Sequence, residues 1–208
     1  MSALTDDVKS LQQILAPGDI AHIALQMLGC INKEITSHTI RTAFIAMNIA
    51  EAYSFKDGGN TQSLVLLSML HTVGFFREDI LTGYNPHDSN IDFFSDEASV
   101  LSKYAFSSFY LEYMTPIRAD AEALRNFTHP YVPSQEETYL DEYCSIIYFS
   151  ARISDFITKH PDELLPEDLN EIAPGYFNPV IVDTFNKVNQ ADIILEQIVT
   201  GSYRAQLS

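Results

Sequence analysis

Apolar residues recur three and four apart along most of the chain and rarely alternate with polar ones, so the pattern predicts helices and calls for no strand. Pro17-Gly18-Asp19 reads as a breaker followed by an N-cap, and Ile20, Ile23, Met27 and Ile31 then mark a helix of about three turns. Residues 1–18 are expected to add a lead-in helix. A further helix is expected from Thr36 or Ser37 to about Tyr53, with Ile40, Phe44, Met47 and Ile49 as its apolar positions and Lys56-Asp57-Gly58-Gly59-Asn60 as its stop. Thr61 to Leu70 is apolar on nearly every face, which predicts a central buried helix that delivers His71 at its C-terminal end.

Residues 83–90 read as loop. Helical spacing resumes from Asp96 to Met114, with Val100, Tyr104, Ser107 and Leu111 along one stripe and Pro116 as its end. Asp120 to Phe127 is short and helical, and His129-Pro130-Tyr131-Val132-Pro133 forces an extended connection. A long amphipathic helix is expected from Glu136 to Ile157, carrying Tyr143, Ile146, Ile147, Phe149, Ile153 and Phe156. Asn178-Pro179 supplies an N-cap and a Pro at the first helical position, opening a helix through Val188 that leads to a last one ending before Gly201. The sum is an all-α, single-domain bundle of about seven to nine helices. Its main body is expected over residues 19–190, followed by a C-terminal helix and tail over 191–208.

Composition narrows the partners. A chain of 208 residues that is 46% hydrophobic supports one sizeable core. Its 28 acidic and 12 basic residues give a net charge of -16, which repels duplex DNA, RNA and anionic membrane surfaces, and no Lys/Arg run offsets it. Cys30 and Cys144 lie far apart in apolar stretches without metal or redox spacing, so both are expected as buried, reduced thiols. The first ten residues do not read as a signal peptide, and no stretch approaches a membrane span, so a soluble cytoplasmic protein is expected.

Six histidines carry the candidate chemistry. His38 opens a helix four residues after Glu34, His71 closes the buried helix, and His129 stands at a loop entrance. Asp155 lies mid-helix, either as a metal ligand or as the salt-bridge partner of Arg152 or Lys159. A divalent metal that activates water needs imidazole and carboxylate ligands from several elements, because one helix offers only two on one face. His87-Asp88 sits after Asn85-Pro86, where an Asx-type turn explains it. His22 and His160 have no partner pattern. Tyr104, Phe106, Phe109, Tyr110 and Tyr113 are expected as core and rim packing.

Four segments, in order, resemble the HD-GYP branch of the HD phosphohydrolase superfamily, whose better-known members hydrolyse cyclic di-GMP at a bi- or trinuclear metal centre. Glu34-Ile35-Thr36-Ser37-His38-Thr39-Ile40-Arg41 resembles the family's Glu, His, Arg opening, and Leu70-His71-Thr72-Val73-Gly74 its Leu-His-Asp-Ile-Gly core. Ala151-Arg152-Ile153-Ser154-Asp155 is similar to the late segment whose Asp closes the metal site, and Gly175 to Phe185 is similar to the terminal helix. The resemblance implies metal ligation by His38, His71 and Asp155 with Glu34 as a secondary ligand, catalysis through His71, Asp155 and His129, and substrate contacts from Arg41 and Thr72.

The departures fall on the chemistry. Thr72 stands where the family has a metal-bridging Asp, and a hydroxyl supplies neither the charge nor the second oxygen for bridging. Phe75 replaces a phosphate-facing Lys, no His lies between Val100 and Ala105, and neither His-His-Glu nor Gly-Tyr-Pro follows His129. Two expectations follow. One is a phosphoester or cyclic-dinucleotide phosphodiester hydrolase with a single Fe, Mn, Ni or Zn ion. The other is an inactive signalling module, without a metal, that binds a partner protein or a nucleotide.

Overall fold

The computed structural model describes residues 23–24, 26–27, 29–76, 87, 91–94, 98–114, 119–125, 131–133, 136–173 and 177–206. The lead-in helix at 1–18, Pro17-Gly18-Asp19, Ile20 and His22 lie outside these residues. So do the 83–90 loop apart from His87, and Pro116, Phe127, His129 with Pro130, and Gly175-Tyr176. The described residues form helices and turns with no strand, and none of their helices is long and apolar enough to cross a membrane.

A helical stretch at residues 23–31 precedes six bounded α-helices: α1 (Lys33–Ala52), α2 (Thr61–Leu70), α3 (Ala98–Met114), α4 (Tyr139–Lys159), α5 (Pro179–Val188) and α6 (Ile193–Thr200). Of the apolar positions expected in the first stretch, Ile23 and Met27 are exposed and Ile31 is half-buried. Ile23, Met27 and Cys30, spaced i, i+4, i+7, all face outward, and Ala24 turns inward. Cys30 is therefore exposed rather than buried. Cys144 is half-buried, and both thiols are free.

The break before α1 comes from Asn32, whose side-chain oxygen accepts hydrogen bonds from the backbone N–H of Glu34 (2.8 Å) and Ile35 (3.3 Å). This cap starts α1 ahead of the expected Thr36 or Ser37 and satisfies two donors that have no partner within the helix. α2 begins on a matching cap, Asn60 accepting from the Ser63 N–H at 2.8 Å, and ends with His71 as its C-cap, as its pattern predicted. α5 and α6 likewise occupy the expected ground, with Asn178 capping Val180 N–H at 3.0 Å and Gly201 closing α6 at φ 76°. Glycine adopts that left-handed backbone most readily because it has no Cβ to clash.

α1 is the central element: it packs on α2, α4 and α5, and its buried positions include Ile35, Phe44, Ile45 and Ile49. α4 contributes Tyr143, Ile146, Ile147, Phe149 and Ile153 to the same core, while Phe156 is only half-buried. Phe149 meets Phe177 and Phe185 edge-on at 4.9 and 5.1 Å, which fastens α5 to α4. The Tyr143 hydroxyl donates to the Asn60 carbonyl (2.8 Å) and accepts from the Asn60 N–H (2.6 Å), tying α4 to the start of α2.

α3 covers the turn after α2, and its buried stripe is the expected Val100, Tyr104, Ser107 and Leu111. Contact there is close because of Gly74, in the 3-10 turn Val73–Phe76: its N–H donates to the Ser107 hydroxyl at 2.8 Å. A Cβ on Gly74 would collide with the Lys103 carbonyl oxygen and stand 2.9 Å from Ser107 N. The expected helix near Asp120 is a short 3-10 turn, Ala121–Leu124.

Candidate functional site

His71 reaches the interior because α2 is apolar on all sides and stops one residue before it. Its Nδ1–H donates to the Ser68 carbonyl at 2.6 Å, so the neutral ring carries its lone pair on Nε2. His38 enters from α1, its ring centroid 5.5 Å from that of His71. Both rings are sealed from solvent at 1% and 0% exposure. Burial pushes the His71 pKa down to about 4. Burial first, then the neighbouring His71, Arg41 and Lys159, holds His38 well below its ordinary value.

Aromatic side chains surround the pair. Phe93 stacks on the His38 ring at 4.0 Å and 9°, and Phe75 touches Phe93 at 5.7 Å. Tyr104 meets Phe75 edge-on at 4.9 Å and lies parallel to His71 at 6.3 Å. With the contact between the two histidines, the rings His38, Phe93, Phe75, Tyr104 and His71 form a closed circuit. The Tyr104 hydroxyl fastens it by donating to the Phe93 carbonyl at 2.9 Å. Phe75 thus stands inside the core, where the resemblance led to a phosphate-facing Lys.

The remaining polar groups satisfy one another. The Thr39 hydroxyl donates to the Ile35 carbonyl at 2.7 Å, which leaves Thr72 as the donor in the Thr72–Thr39 hydroxyl pair. Ser154 lies 3.2 Å from His38 Nδ1 and 3.3 Å from the His38 carbonyl, and it accepts from Arg41 Nε at 3.3 Å. Arg41 also donates to the Thr158 hydroxyl at 2.6 Å. Asp155 pairs with Lys159 at 3.0 Å, and Lys159 reaches Asp92 at 3.3 Å. Burial raises the Asp155 pKa, with Lys159 acting against it. Of the two ion-pair partners expected for Asp155, Lys159 is the one that reaches it. Arg152 instead lays its guanidinium 3.7 Å from the centre of the Phe94 ring.

The structure therefore brings His38, His71 and Thr72 together, with Arg41 and Asp155 behind them on the α4 side. Glu34 is exposed in the first turn of α1, and His129 lies outside the described residues. Among the described residues no group of three or more His, Cys, Asp or Glu side chains is placed to hold a metal ion. His38 Nε2 is buried with no hydrogen-bond partner among them. A metal would thus find two imidazoles, a carboxylate already paired with Lys159, and a hydroxyl committed to Thr39.

Phe93, Ser154 and Thr39 complete this environment; Phe93 lies outside every segment of the resemblance, and Thr39 and Ser154 lie within two of them without having been assigned a role. Ser154 and Thr158, one turn apart on α4, were the only visible trace, because both point toward α1. His87 and His160 are exposed, the latter 3.0 Å from Glu163, its i+3 neighbour. Tyr104 is core, as expected, whereas Phe109, Tyr110 and Tyr113 are substantially exposed.

The chain matches no known protein-family model, no curated protein and no solved structure.

Proposed function

We propose that this chain is a divergent HD-GYP-like helical module that acts by binding, with the residues of the hydrolytic centre absorbed into its core. The observation that carries this reading is the closed aromatic circuit around His38 and His71. Phe93 covers the His38 ring face at stacking distance, and both imidazoles are sealed from water. Hydrolysis by a metal-bound hydroxide needs an open position for water and a path for the phosphoester. The Thr72–Thr39 pair and the Asp155–Lys159 pair further support a network satisfied from within. A partner protein or a nucleotide signal would then be read elsewhere on the surface.

A second reading, a mononuclear phosphohydrolase, is favoured by two specific details. His71 donates Nδ1–H to a backbone carbonyl, the arrangement that aims Nε2 of a metal-bound histidine at its ion, and His38 Nε2 has no partner among the described residues. Elemental analysis separates the two. Protein purified without chelator or a metal-affinity column is offered Mn, Fe and Zn in turn, beside a His71→Ala control, and assayed on bis(p-nitrophenyl) phosphate. The binding module is expected to retain no ion above the control and to show no chelator-sensitive turnover. One tightly held ion per chain, lost in His71→Ala together with turnover, would establish the hydrolase instead. Thr72→Asp is expected to leave metal uptake unchanged in a sealed core.

A further inference from the structure

The C-terminal turn assembles a second feature on α1. Gly201 reverses the chain after α6, the 3-10 turn Ser202–Gln206 returns to α1, and Tyr203 buries its ring 5.5 Å from Phe44. Arg204 is thereby set at the wall of a cavity of about 310 Å3, opposite material from the start of α1. Lys33, Thr36 and Ser37 form its polar side, and Ile40, Met69 and Gly29 its apolar side. At about 100° per residue, Thr36, Ser37 and Ile40 share a helix face turned roughly 150° from His38, so this cavity is separate from the histidine pair.

Its charge runs against that of the chain. Among the described cations, Lys56, Arg125 and Lys159 pair with carboxylates, and Arg41 and Arg152 engage hydroxyls and a ring. Lys33, Lys187 and Arg204 have no carboxylate partner among the described residues, although acidic residues number 28 in the chain, and two of the three line this cavity. Among the described residues, the hydrogen bond of Arg204 goes to the neighbouring Tyr203 hydroxyl, at 3.4 Å. The Thr36 hydroxyl is engaged with the Asn32 carbonyl at 3.0 Å, while that of Ser37 has no partner among the described residues. Two uncompensated cations, a hydroxyl donor and an apolar floor in one small-ligand-sized cavity match a dianionic oxygen headgroup on a short hydrocarbon body.

We propose that this cavity binds a small soluble phosphate monoester, its phosphate held between Lys33 and Arg204 with Ser37 as a donor and its apolar body on Ile40 and Met69. The proposal is independent of whether His38 and His71 hold a metal. The net charge of -16 disfavours a headgroup presented on an anionic membrane, which selects a free ligand.

The test is calorimetric titration of the full chain with hexyl phosphate, inorganic phosphate, hexanoate and hexanol. Saturable one-site binding is expected for hexyl phosphate, weaker binding for inorganic phosphate and hexanoate, and none for hexanol. Lys33→Gln and Arg204→Gln are each expected to weaken hexyl phosphate about tenfold, the effect of losing one hydrogen bond to a charged group. Both side chains are exposed, so unliganded melting should stay unchanged. Gly29→Leu should abolish binding by filling the cavity, since a Cβ there meets only the Thr36 hydroxyl at an ordinary 3.8 Å. Lys187→Gln, an exposed cation on α5 that does not line the cavity, is the control and should bind normally. The proposal falls if no probe binds saturably, if Gly29→Leu binds as well as the parent, or if Lys187→Gln weakens binding as much as the two cavity variants. Pelleting of the chain with phosphatidic acid vesicles would also overturn it, in favour of a lipid headgroup.

Discussion

On one side of α1, His38 and Thr39 lie sealed beneath Phe93 and the Thr72 turn; on the other, Lys33, Thr36 and Ser37 border a cavity that stays open beside Arg204. Both sides draw on the same eight-residue segment of the HD-GYP resemblance or the residue just before it. On the sealed side the hydroxyls of Thr39, Thr72 and Ser154 are turned on one another, on the backbone and on Arg41, so most of its polarity is spent on cohesion. The open side keeps two cations, Lys33 and Arg204, that have no carboxylate partner among the described residues. A single helical segment can thus divide by face, one face becoming core and the other remaining open to solvent.

The most disruptive way to break this contrast is Phe93→Ala, which removes the ring covering His38. A large aromatic-to-alanine change in a core costs about 3–5 kcal/mol, and urea unfolding would register it. If stability is barely altered, the ring circuit does not seal the site. Gly74→Ala attacks the same side through the backbone: its Cβ must push the Lys103 carbonyl away and strain the Gly74–Ser107 hydrogen bond. Overpacking of this kind costs about 1–3 kcal/mol, again read as a lower urea midpoint.

The third prediction concerns pH. The folded state keeps His71 neutral down to about 4, whereas the unfolded chain protonates near the ordinary 6.5. As pH falls below about 6.5 the unfolded state therefore binds the proton first, so stability is full above that value and declines toward 4. At pH 5 the loss from this group is about 2 kcal/mol, and the depressed His38 acts in the same direction. Asp155, raised by burial, works oppositely, taking up its proton in the folded state first and offsetting part of the loss in the carboxylate range. Urea midpoints at pH 7 and pH 5 should separate in the parent and draw together in His71→Phe. Equal midpoints in the parent would mean that water reaches the imidazoles.

Helix positions were legible wherever a cap or breaker sat beside a periodic run. Asn178-Pro179, the all-apolar α2 and the α3 stripe at Val100, Tyr104, Ser107 and Leu111 all express local rules. Asn32 is hard to read as a boundary because no Pro or Gly stands directly beside it, and the capping oxygen alone sets the start of the helix. Ile23 and Met27, whose spacing marks the first helical stretch, face outward for a different reason: periodicity identifies an apolar face but not whether another element covers it. At the site, spacing brought His38 and His71 into view as a pair. The stacking of Phe93 and the commitment of Thr72 to Thr39 depend on contacts between segments far apart in the chain, which no local pattern encodes.

The single hydroxyl of Tyr143 holds both the N–H and the carbonyl of Asn60, the residue that also caps α2. α4 therefore cannot slide past α2 without breaking both bonds or pulling on the capping residue, and the two helices are coupled as a lever to its latch. Any signal that shifted α4 would be felt at the opening turn of α2, and, through that stiff apolar rod, at His71 on its far end.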